Sequence, residues 1–481
     1  MGEGNAMRGN DRGRHRRTGG REGEAAQRLP RGLPTGDVPG SSPPAPASSG
    51  PGGGGDGGDS HLPVAPGPGI SLQAVLCALA ALPAAAASFG DDVAFLEKHT
   101  EIITLSDEPG QARVALAPAW QGRIVTSTAG GPGGLSHGWI NRALIASGEI
   151  RPHVNFFGGE DRIWLGPEGG QFSIFFEKGA PFDLEHWQTP APIDTEPYQV
   201  VGKAKDQAHF RHAFQLANYS GTVFDLQVDR RVRLVTPSEV WEDLAAQACP
   251  GLSMVAFESR NKITNRGEKP WTKETGLLSI WILGMFHPSP ATTVVIPVRP
   301  GAEEELGPRV NADYFGRVPP DRLAVSERAV FFRGDGKRRG KIGISPKRAL
   351  PILGSYDAAR QVLTLVQFTL PPGATDYVNS MFEIQEEPFA GDVVNSYNDG
   401  PLSPSGEQLG PFYELETSSP AAALGPSESL EHVHRTIHLT GSRAELEEVA
   451  RVTLRVGLDE ITGALPPVQR RPESHHAKPS K

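Results

Sequence analysis

Residues 155–170, NFFGGEDRIWLGPEGG, combine five glycines with three carboxylates, one arginine and one tryptophan. Glu160 and Asp161 are adjacent, and two neighbouring carboxylates are costly to bury without partners. Turn signals, Gly-Gly before and Gly-Pro after, flank the strand-like segment 162–165. Charged groups bracketed in this way predict a functional site carried by a scaffold. The alternative is an ordinary hairpin with a surface pair between Arg162 and a carboxylate.

A second carboxylate cluster lies in 412–417, FYELET. If this segment is a strand, Glu414 and Glu416 share one face with Phe412. Same-face neighbours lie about 7 Å apart along a strand, which is too far for a hydrogen bond but close enough to shape one site. A carboxylate beside an aromatic ring is a candidate general base, because desolvation raises its pKa toward neutrality. Otherwise one glutamate pairs with an arginine and the other is solvated.

The next predicted strand alternates His432, His434, Thr436 and His438 with mostly apolar residues. His-x-His on a strand is also the spacing of metal ligands. Glu414 or Glu416 would have to supply a further ligand, so we favour an ordinary polar sheet face. We predict no metal and no cofactor.

A third polar cluster lies in 377–399 and holds Asn379, Tyr397, Asn398 and Asp399. Amide, carboxylate and aromatic groups are typical of sites that hold sugar hydroxyls and a sugar's C–H face. They are equally typical of loops, and the segment 395–400 has the composition of a polar turn. Calcium held by acidic and amide oxygens is a further alternative, although no EF-hand pattern is present.

These clusters lie among many segments of strand type. The clearest is 222–235, where apolar Phe224, Leu226 and Val228 occupy even positions and polar residues occupy odd ones. A period of two predicts a strand with one face on a core. The other predicted strands are 113–117, 123–128, 172–177, 209–217, 252–264, 277–286, 292–298, 362–370, 377–385, 412–417 and 430–439. Helices are expected at 91–99, 239–247 and 442–456.

No strand–helix–strand rhythm or short repeat appears, so the predicted fold is all-β, a large antiparallel β-sandwich with a few short helices. We place this domain at 89–465, with 300–320 as a candidate loop. The sequence predicts a disordered tail at 466–481. The low-complexity extension at 1–69 has almost no aliphatic periodicity and is expected to be disordered too.

Residues 70–88 contain an apolar run of the length found in signal peptides, followed by small residues that suit cleavage. The run is short and rich in alanine, so no stable membrane span is expected. We predict a secreted or periplasmic protein that begins near Ser88 or Phe89. A start codon placed too far upstream would explain the long segment before the apolar run. The alternative to a signal segment is a weak alanine-rich helix.

Composition excludes several classes of protein. The net charge of -9 argues against general nucleic-acid binding, which needs clustered Lys and Arg. Two cysteines, Cys77 and Cys249, provide neither a disulfide framework nor a cysteine-based zinc site. The chain contains no Gly-x-Ser-x-Gly elbow, P-loop, Rossmann fingerprint or His-Glu-x-x-His motif, which disfavours the corresponding chemistries.

Four sequence blocks make the chain resemble the galactose-mutarotase-like superfamily, the supersandwich of aldose 1-epimerases, and more closely an uncharacterised bacterial family within it. The blocks are FGGEDRIWLGPEGGQFSIFF, YVNSMFEIQ, VVNSYNDGP and FYELETSSPAAAL. The similarity spans most of 89–460. Two further segments are similar to epimerase segments: Gly122-Arg123-Ile124 to the first hairpin, and NKITNRG at 261–267 to a strand end.

The resemblance implies roles for particular residues. Leu415-Glu416-Thr417 matches the epimerase segment whose glutamate deprotonates the anomeric hydroxyl, so Glu416 would be the base. The epimerase histidine that acts as acid has no matching segment here, and Gly158–Asp161 replaces a His-Gly-Gly. An acid would then come from Glu160, Asp161, His153 or His434, with Arg162 stabilising negative charge.

We therefore predict a carbohydrate-active protein with a concave cleft and proton transfer of the epimerase type. The residues predicted to bind the sugar are His153, Asn155, Trp164, Glu168, Asn379, Tyr397, Asn398, Asp399 and Glu414. The alternatives are a non-catalytic carbohydrate-binding module and a metal-dependent glycan hydrolase or lyase.

Overall fold

The computed structural model describes residues 87–401, 406 and 408–467. The predicted extension, the tail from 468 and the signal-like segment up to residue 86 lie outside these residues, so secretion stays a prediction. Within the described part, eighteen strands and seven α-helices form, with one 3-10 turn at Pro118–Trp120. No helix there is long and apolar enough to cross a membrane.

The strands are β1 (Ile103–Ser106), β2 (Arg113–Ala117), β3 (Arg123–Thr128), β4 (Arg162–Gly166), β5 (Gln199–Lys203), β6 (Gln207–Ala217), β7 (Val223–Leu234), β8 (Ser253–Asn265), β9 (Ser279–Phe286), β10 (Thr292–Pro297), β11 (Leu323–Val325), β12 (Ala329–Arg333), β13 (Gly340–Ile344), β14 (Ile352–Asp357), β15 (Val362–Phe368), β16 (Val394–Asn398), β17 (Tyr413–Ser418) and β18 (Ser429–Thr440). The helices are α1 (Phe89–Leu96), α2 (Arg142–Ser147), α3 (Ala191–Asp194), α4 (Pro237–Asp243), α5 (Glu303–Leu306), α6 (Arg443–Thr453) and α7 (Leu458–Gly463).

Three antiparallel sheets contain these strands. The largest has ten strands in the order β11-β12-β10-β14-β15-β18-β8-β7-β6-β5. The second has five, β13-β16-β17-β9-β4, and the third has β1-β2-β3. The predicted fold class, an all-β antiparallel sandwich with short helices, is confirmed.

The inner face of the five-stranded sheet packs on the ten-stranded sheet. Tyr413 of β17 shares a hydrogen bond of 2.8 Å with Ser355 of β14. Thr417 of β17 reaches His432 and His434 of β18, with 2.9 Å between its Oγ1 and a ring nitrogen of each. The inward side chains of β17 are therefore the odd-numbered ones, which leaves Glu414 and Glu416 on the outer face.

Helices cover the other face of the ten-stranded sheet. A core cluster joins Val240 of α4 and Leu446 of α6 to odd-numbered side chains of β15 and β18, such as Leu363 and Ile437. The order of layers is therefore helices, ten-stranded sheet and five-stranded sheet. The outer face of the five-stranded sheet is not covered by the ten-stranded sheet and is available for a site. Before β1, Ser88 caps α1 in a capping box with Asp91.

The predicted alternation of β7 is confirmed, because Phe224, Leu226, Val228, Val232 and Leu234 are all buried. Two predicted strands are wrong: 172–177 is a series of turns and bends, and 377–385 holds only an isolated bridge at Tyr377. The predicted turn at 395–400 is wrong in the opposite sense, since most of it is strand β16.

Candidate active site

The outer face of the five-stranded sheet is the floor of a cleft of about 260 Å³. The register of the sheet places Trp281 of β9 beside Trp164 of β4, and Leu283 between Arg162 and Glu416. β16 and β13 extend the floor with Tyr397 opposite Lys341. The cleft is lined by His153, Val154, Phe156, Arg162, Trp164, Glu168, Leu184, Trp187, Trp281, Leu283, Met285, Phe315, Arg339, Lys341, Tyr397, Leu409, Phe412 and Glu414.

Two cation–aromatic stacks form the centre of this floor. The Cζ atom of Arg162 lies 3.9 Å from the ring centroid of Trp164. The Nζ atom of Lys341 lies 4.4 Å from the ring centroid of Trp281. Such stacking holds each charge above an aromatic face and fixes its direction.

Each cation also has a buried carboxylate partner. Arg162 Nη2 donates to Oδ1 of Asp194 at 2.9 Å. Lys341 Nζ donates to Oε2 of Glu416 at 3.1 Å, and Trp281 Nε1 donates to the same oxygen at 3.0 Å. Glu416 is completely buried, and its other oxygen, Oε1, has no hydrogen-bond partner among the described residues.

Glu414, on the same face as Glu416, has a different environment. Its side chain lines the cleft, and no described residue donates a hydrogen bond to its carboxyl group. Burial and the charge of Glu416 raise its pKa well above the usual range, against smaller opposing effects of Lys341 and Arg162. Both effects favour the protonated form of Glu414, whose side chain faces the cleft.

Glu168 is the second carboxyl group that lines the cleft. Trp164 Nε1 donates to its Oε1 at 3.2 Å. Burial raises the pKa of Glu168, and the charge of Glu416 adds to this while Lys341 opposes it. Burial alone would lower the pKa of Lys341, but Glu416, Glu168 and Glu414 together raise it. The three carboxyl groups around Lys341 therefore favour its charged form.

Six of the predicted site residues line the cleft together: His153, Arg162, Trp164, Glu168, Tyr397 and Glu414. Glu416, the base implied by the resemblance, does not reach the cleft surface, because Lys341 and Trp281 cover it. Lys341, Trp281 and Asp194 were missed by the sequence analysis. Nothing in the sequence around Lys341 sets it apart, since its partner is 75 residues away.

Glu160 and Asp161 do not share the cleft with Arg162, contrary to the expectation of one converging cluster. The backbone N–H groups of both residues donate to the carbonyl of Ile124, at 2.8 and 3.3 Å. Two residues opposite one is the pattern of a β-bulge, which shifts the alternation of side chains. The bulge turns both carboxylates into the interior while Arg162 points outward.

In the interior each of these carboxylates has a partner from the large sheet, and Glu160 has a second one from β3. Glu160 Oε2 lies 2.6 Å from Nε2 of His438 and accepts a hydrogen bond of 3.0 Å from Ser127. Asp161 pairs with Arg230 at 2.8 Å, and neither side chain is exposed. Arg230 is the one charged residue at an even position of β7, so its place on the core side was visible in the sequence.

The predicted catalytic residue His434 also lies in the interior. Its Nδ1 shares a hydrogen bond with Thr417, and burial lowers its pKa to about 4. Burial lowers the pKa of His432 to about 3. Among the described residues, no group of three or more His, Cys, Asp and Glu side chains is arranged to hold a metal ion.

The remaining predicted residues support the cleft without lining it. Asn155 donates to Oδ2 of Asp194 at 2.8 Å, which fixes the partner of Arg162. Asp399 accepts a hydrogen bond of 2.7 Å from the hydroxyl of Tyr397. Asn398 donates to the carbonyl of Arg338, and Asn379 accepts from the backbone N–H of Met381.

A model of a family of unknown function matches residues 87–465. No curated protein matches the chain. Among solved structures, a putative aldose 1-epimerase from Escherichia coli K12 is 12% identical with a TM-score of 0.41, and the match covers 71% of this chain and 99% of that one. A galactose mutarotase-like protein from Lactobacillus casei is 9% identical with a TM-score of 0.41, covering 70% and 100%. A putative mutarotase from Salmonella typhimurium is 12% identical with a TM-score of 0.40, covering 71% and 90%. At such identities these matches carry no residue roles to this chain.

Proposed function

The chain belongs to DUF6786, a family of unknown function, and from the geometry of its cleft we propose that it binds a carbohydrate there and transfers protons at the anomeric centre. The observation that carries the proposal is the environment of Glu414. Its carboxyl group lines an aromatic cleft beside a buried ion pair between Lys341 and Glu416, where burial raises its pKa.

The lining of the cleft supports a sugar as ligand. Aromatic side chains, including Phe156, Tyr397 and Phe412, supply apolar surface for the C–H faces of a sugar ring. Arg162 and Lys341 supply hydrogen-bond donors that are held in place by their own partners. Few polar groups at fixed positions within apolar walls are what a small polar ligand needs for orientation.

The two carboxyl groups that line the cleft supply the proton transfers. Glu414 acts as the acid, because burial and the charge of Glu416 keep it protonated. Glu168 acts as the base, because burial raises its pKa and so makes its carboxylate a stronger proton acceptor, while the hydrogen bond from Trp164 orients it. Glu414 lies on β17, and Glu168 follows the end of β4, on the other side of β9, so the two groups approach the cleft from different strands of its floor.

The proposed step opens and closes the sugar ring. Glu168 accepts the proton of the anomeric hydroxyl, the bond between the anomeric carbon and the ring oxygen breaks, and Glu414 gives its proton to that oxygen. The resulting open-chain aldehyde closes on either face, and both protons return. Lys341 and Arg162 stabilise negative charge that develops on the sugar oxygens.

The non-catalytic module is the second candidate, and the burial of Glu416 favours it. The glutamate that the resemblance assigns as base is inaccessible beneath Lys341, so the epimerase arrangement is incomplete. In that case the same cleft binds a sugar without turnover.

Exchange NMR on a panel of aldoses, combined with calorimetric titration, tests the proposal. We expect accelerated interconversion of the anomers, and a loss of about 100-fold or more in Glu414→Gln and in Glu168→Gln, since a positioned acid or base contributes about 10²–10⁴. Sugar affinity should persist in both variants. Glu327→Gln, at an exposed position, is the matched control and should keep full activity. Binding without exchange by the wild-type protein would favour the module, and no binding by any sugar would contradict both candidates.

A further inference from the structure

A side groove of about 360 Å³ lies next to the cleft. Its walls come from three segments without regular secondary structure: the segment around Phe182, the one around Tyr314 and the one around Phe382. The side chains found in this groove but not in the cleft are Phe182, Asp183, Tyr314, Ser380, Met381 and Phe382. The groove is therefore a distinct surface built by loops, whereas the cleft is built on strands.

The side groove is continuous with the cleft. Both cavities are lined by the same five residues: Glu168, Leu184, Phe315, Arg339 and Lys341. Two of these, Glu168 and Lys341, belong to the proton-transfer centre proposed above. A molecule held at that centre consequently has a direct path into the side groove without leaving the protein surface.

The junction carries groups that suit a second sugar ring. Phe315 is 45% exposed, and the Cζ atom of Arg339 lies 3.7 Å from its ring centroid. Arg339 lines both cavities, so its guanidinium group lies where it can donate hydrogen bonds to a ligand oxygen. Leu184, at the same junction, is 52% exposed.

The far wall of the side groove is aromatic and fixed by packing. The ring of Phe382 meets Phe176 edge to face, with 5.2 Å between centroids, and Phe182 meets the same ring at 5.1 Å. These contacts hold both side chains in place from behind. An apolar surface with a few polar groups at its entrance repeats the composition of the cleft.

We propose that the ligand is an oligosaccharide whose reacting sugar occupies the cleft and whose next sugar occupies the side groove. This inference rests on the proposed function of the cleft. The continuity of the two cavities supports this ligand, because a group in the side groove lies next to the cleft ligand at Glu168 and Lys341. A second sugar linked to the first satisfies this condition.

Titration calorimetry and saturation-transfer NMR on the full chain test this inference. The probes are glucose, galactose and mannose, each compared with its β-1,4-linked and α-1,4-linked disaccharides. We expect one disaccharide to bind about tenfold more tightly than its monosaccharide, which corresponds to about 1.4 kcal/mol. In the saturation-transfer experiment, magnetisation from the protein should reach protons of both sugar rings of that disaccharide.

Phe382→Ala and Met381→Ala remove side-groove surface without touching the cleft lining. Either variant should reduce the affinity advantage of the disaccharide over the monosaccharide to less than about threefold, because apolar surface for the second ring is lost. The monosaccharide affinity should persist. Phe382→Ala also loses the contact with Phe176, which can impair folding. In that case Met381→Ala provides the test. Val452→Ala, at an exposed position on α6, is the control.

The outcomes separate this inference from the proposed function. Equal affinity for mono- and disaccharides, with saturation of one ring only, would overturn the inference and leave the proposed function standing. Failure of every saccharide to bind would overturn both.

Discussion

Glu414 and Glu416 lie two residues apart on one face of β17, yet their surroundings give them different roles. Glu416 is completely buried and holds Lys341 and Trp281 through one oxygen. Glu414 lines the cleft, and its pKa is raised well above the usual range. Burial, reinforced by the charge of Glu416, thus raises the pKa of Glu414, and two identical side chains on one strand face acquire different properties.

Lys341 should be essential for the stability of this arrangement. Lys341→Met leaves Glu416 as a buried carboxylate without its cation, which costs about 3–5 kcal/mol in the free energy of unfolding. Urea denaturation measures this loss. The double variant with Glu416→Gln should recover part of it, because no unpaired charge is then left in the interior.

A surface ion pair supplies the control for that measurement. Lys205 pairs with Glu108 where both side chains are more than half exposed. Lys205→Met should therefore cost less than about 1 kcal/mol. Equal losses in the two lysine variants would contradict the assigned role of Lys341.

Glu160 should make stability depend on pH. Burial raises its pKa from 4.5 to about 7 in the folded protein. Because the folded state holds this proton more tightly than the unfolded chain, its contribution is fully present below pH 4.5 and is lost as the pH rises through 7. The loss is about 3 kcal/mol, since one pKa unit corresponds to about 1.4 kcal/mol.

Urea denaturation of the wild type and Glu160→Gln between pH 4.5 and 8 checks this prediction. Glutamine mimics the protonated acid, so the stability of the wild type relative to the variant should fall across this range. His438, whose pKa burial lowers to about 3, remains neutral in both proteins over the same range. A difference that stays constant with pH would show that Glu160 does not bind a proton in this way.

At the scale of elements, the bulge before β4 decides which side chains reach the cleft. Gly158 and Gly159 adopt positive φ angles of 93° and 115° there. The sequence showed these glycines as a turn signal and Arg162–Leu165 as a strand, and both features are present. The bulge was not predictable, because it depends on Ile124 of another sheet accepting two hydrogen bonds.

Gly158→Ala should test the packing at this bulge. A Cβ atom at Gly158 would lie 2.1 Å from the carbonyl oxygen of Trp139, and the backbone φ is +93°. Gly179 has a similar φ of +86° but no atom within 4 Å of such a Cβ, so Gly179→Ala isolates the cost of the backbone angle. We expect about 1–2 kcal/mol for Gly179→Ala.

Gly158→Ala should lose at least about 2 kcal/mol more than Gly179→Ala, because the clash with Trp139 adds an overpacking cost. Chemical denaturation of both variants provides the comparison. Equal stability of the two would contradict the close approach at residue 158.

Prediction of elements from the sequence succeeded where one face of a strand is apolar. β7 alternates along its length and was predicted almost to its ends. β16 was interpreted as a turn because Asn395, Tyr397 and Asn398 are polar, although all three are buried. Tyr397 has a local partner in Asp399, but Asn395 and Asn398 bond the distant carbonyl groups of Ile342 and Arg338. The burial itself comes from the neighbouring strands β13 and β17.

At the scale of the whole molecule, the five-stranded sheet separates two polar systems. The outer one, around Glu414, opens to the cleft. The inner one joins Glu160 to His438 and Asp161 to Arg230 between the sheets. From the sequence alone, both carboxylate clusters belonged to one site, because adjacency along the chain does not reveal on which side of a sheet a residue lies.

The most direct test compares the rates of anomeric exchange in Glu414→Gln and Glu160→Gln near pH 6. It shows whether the cleft around Glu414 or the interior network around Glu160 carries the activity. At that pH most of the wild-type Glu160 is protonated, so glutamine replaces it closely. The cleft-centred function predicts that Glu414→Gln loses about 100-fold or more in rate, whereas Glu160→Gln stays within about twofold of the wild type. Loss of exchange in Glu160→Gln, with Glu414→Gln unaffected and both proteins folded, would contradict it.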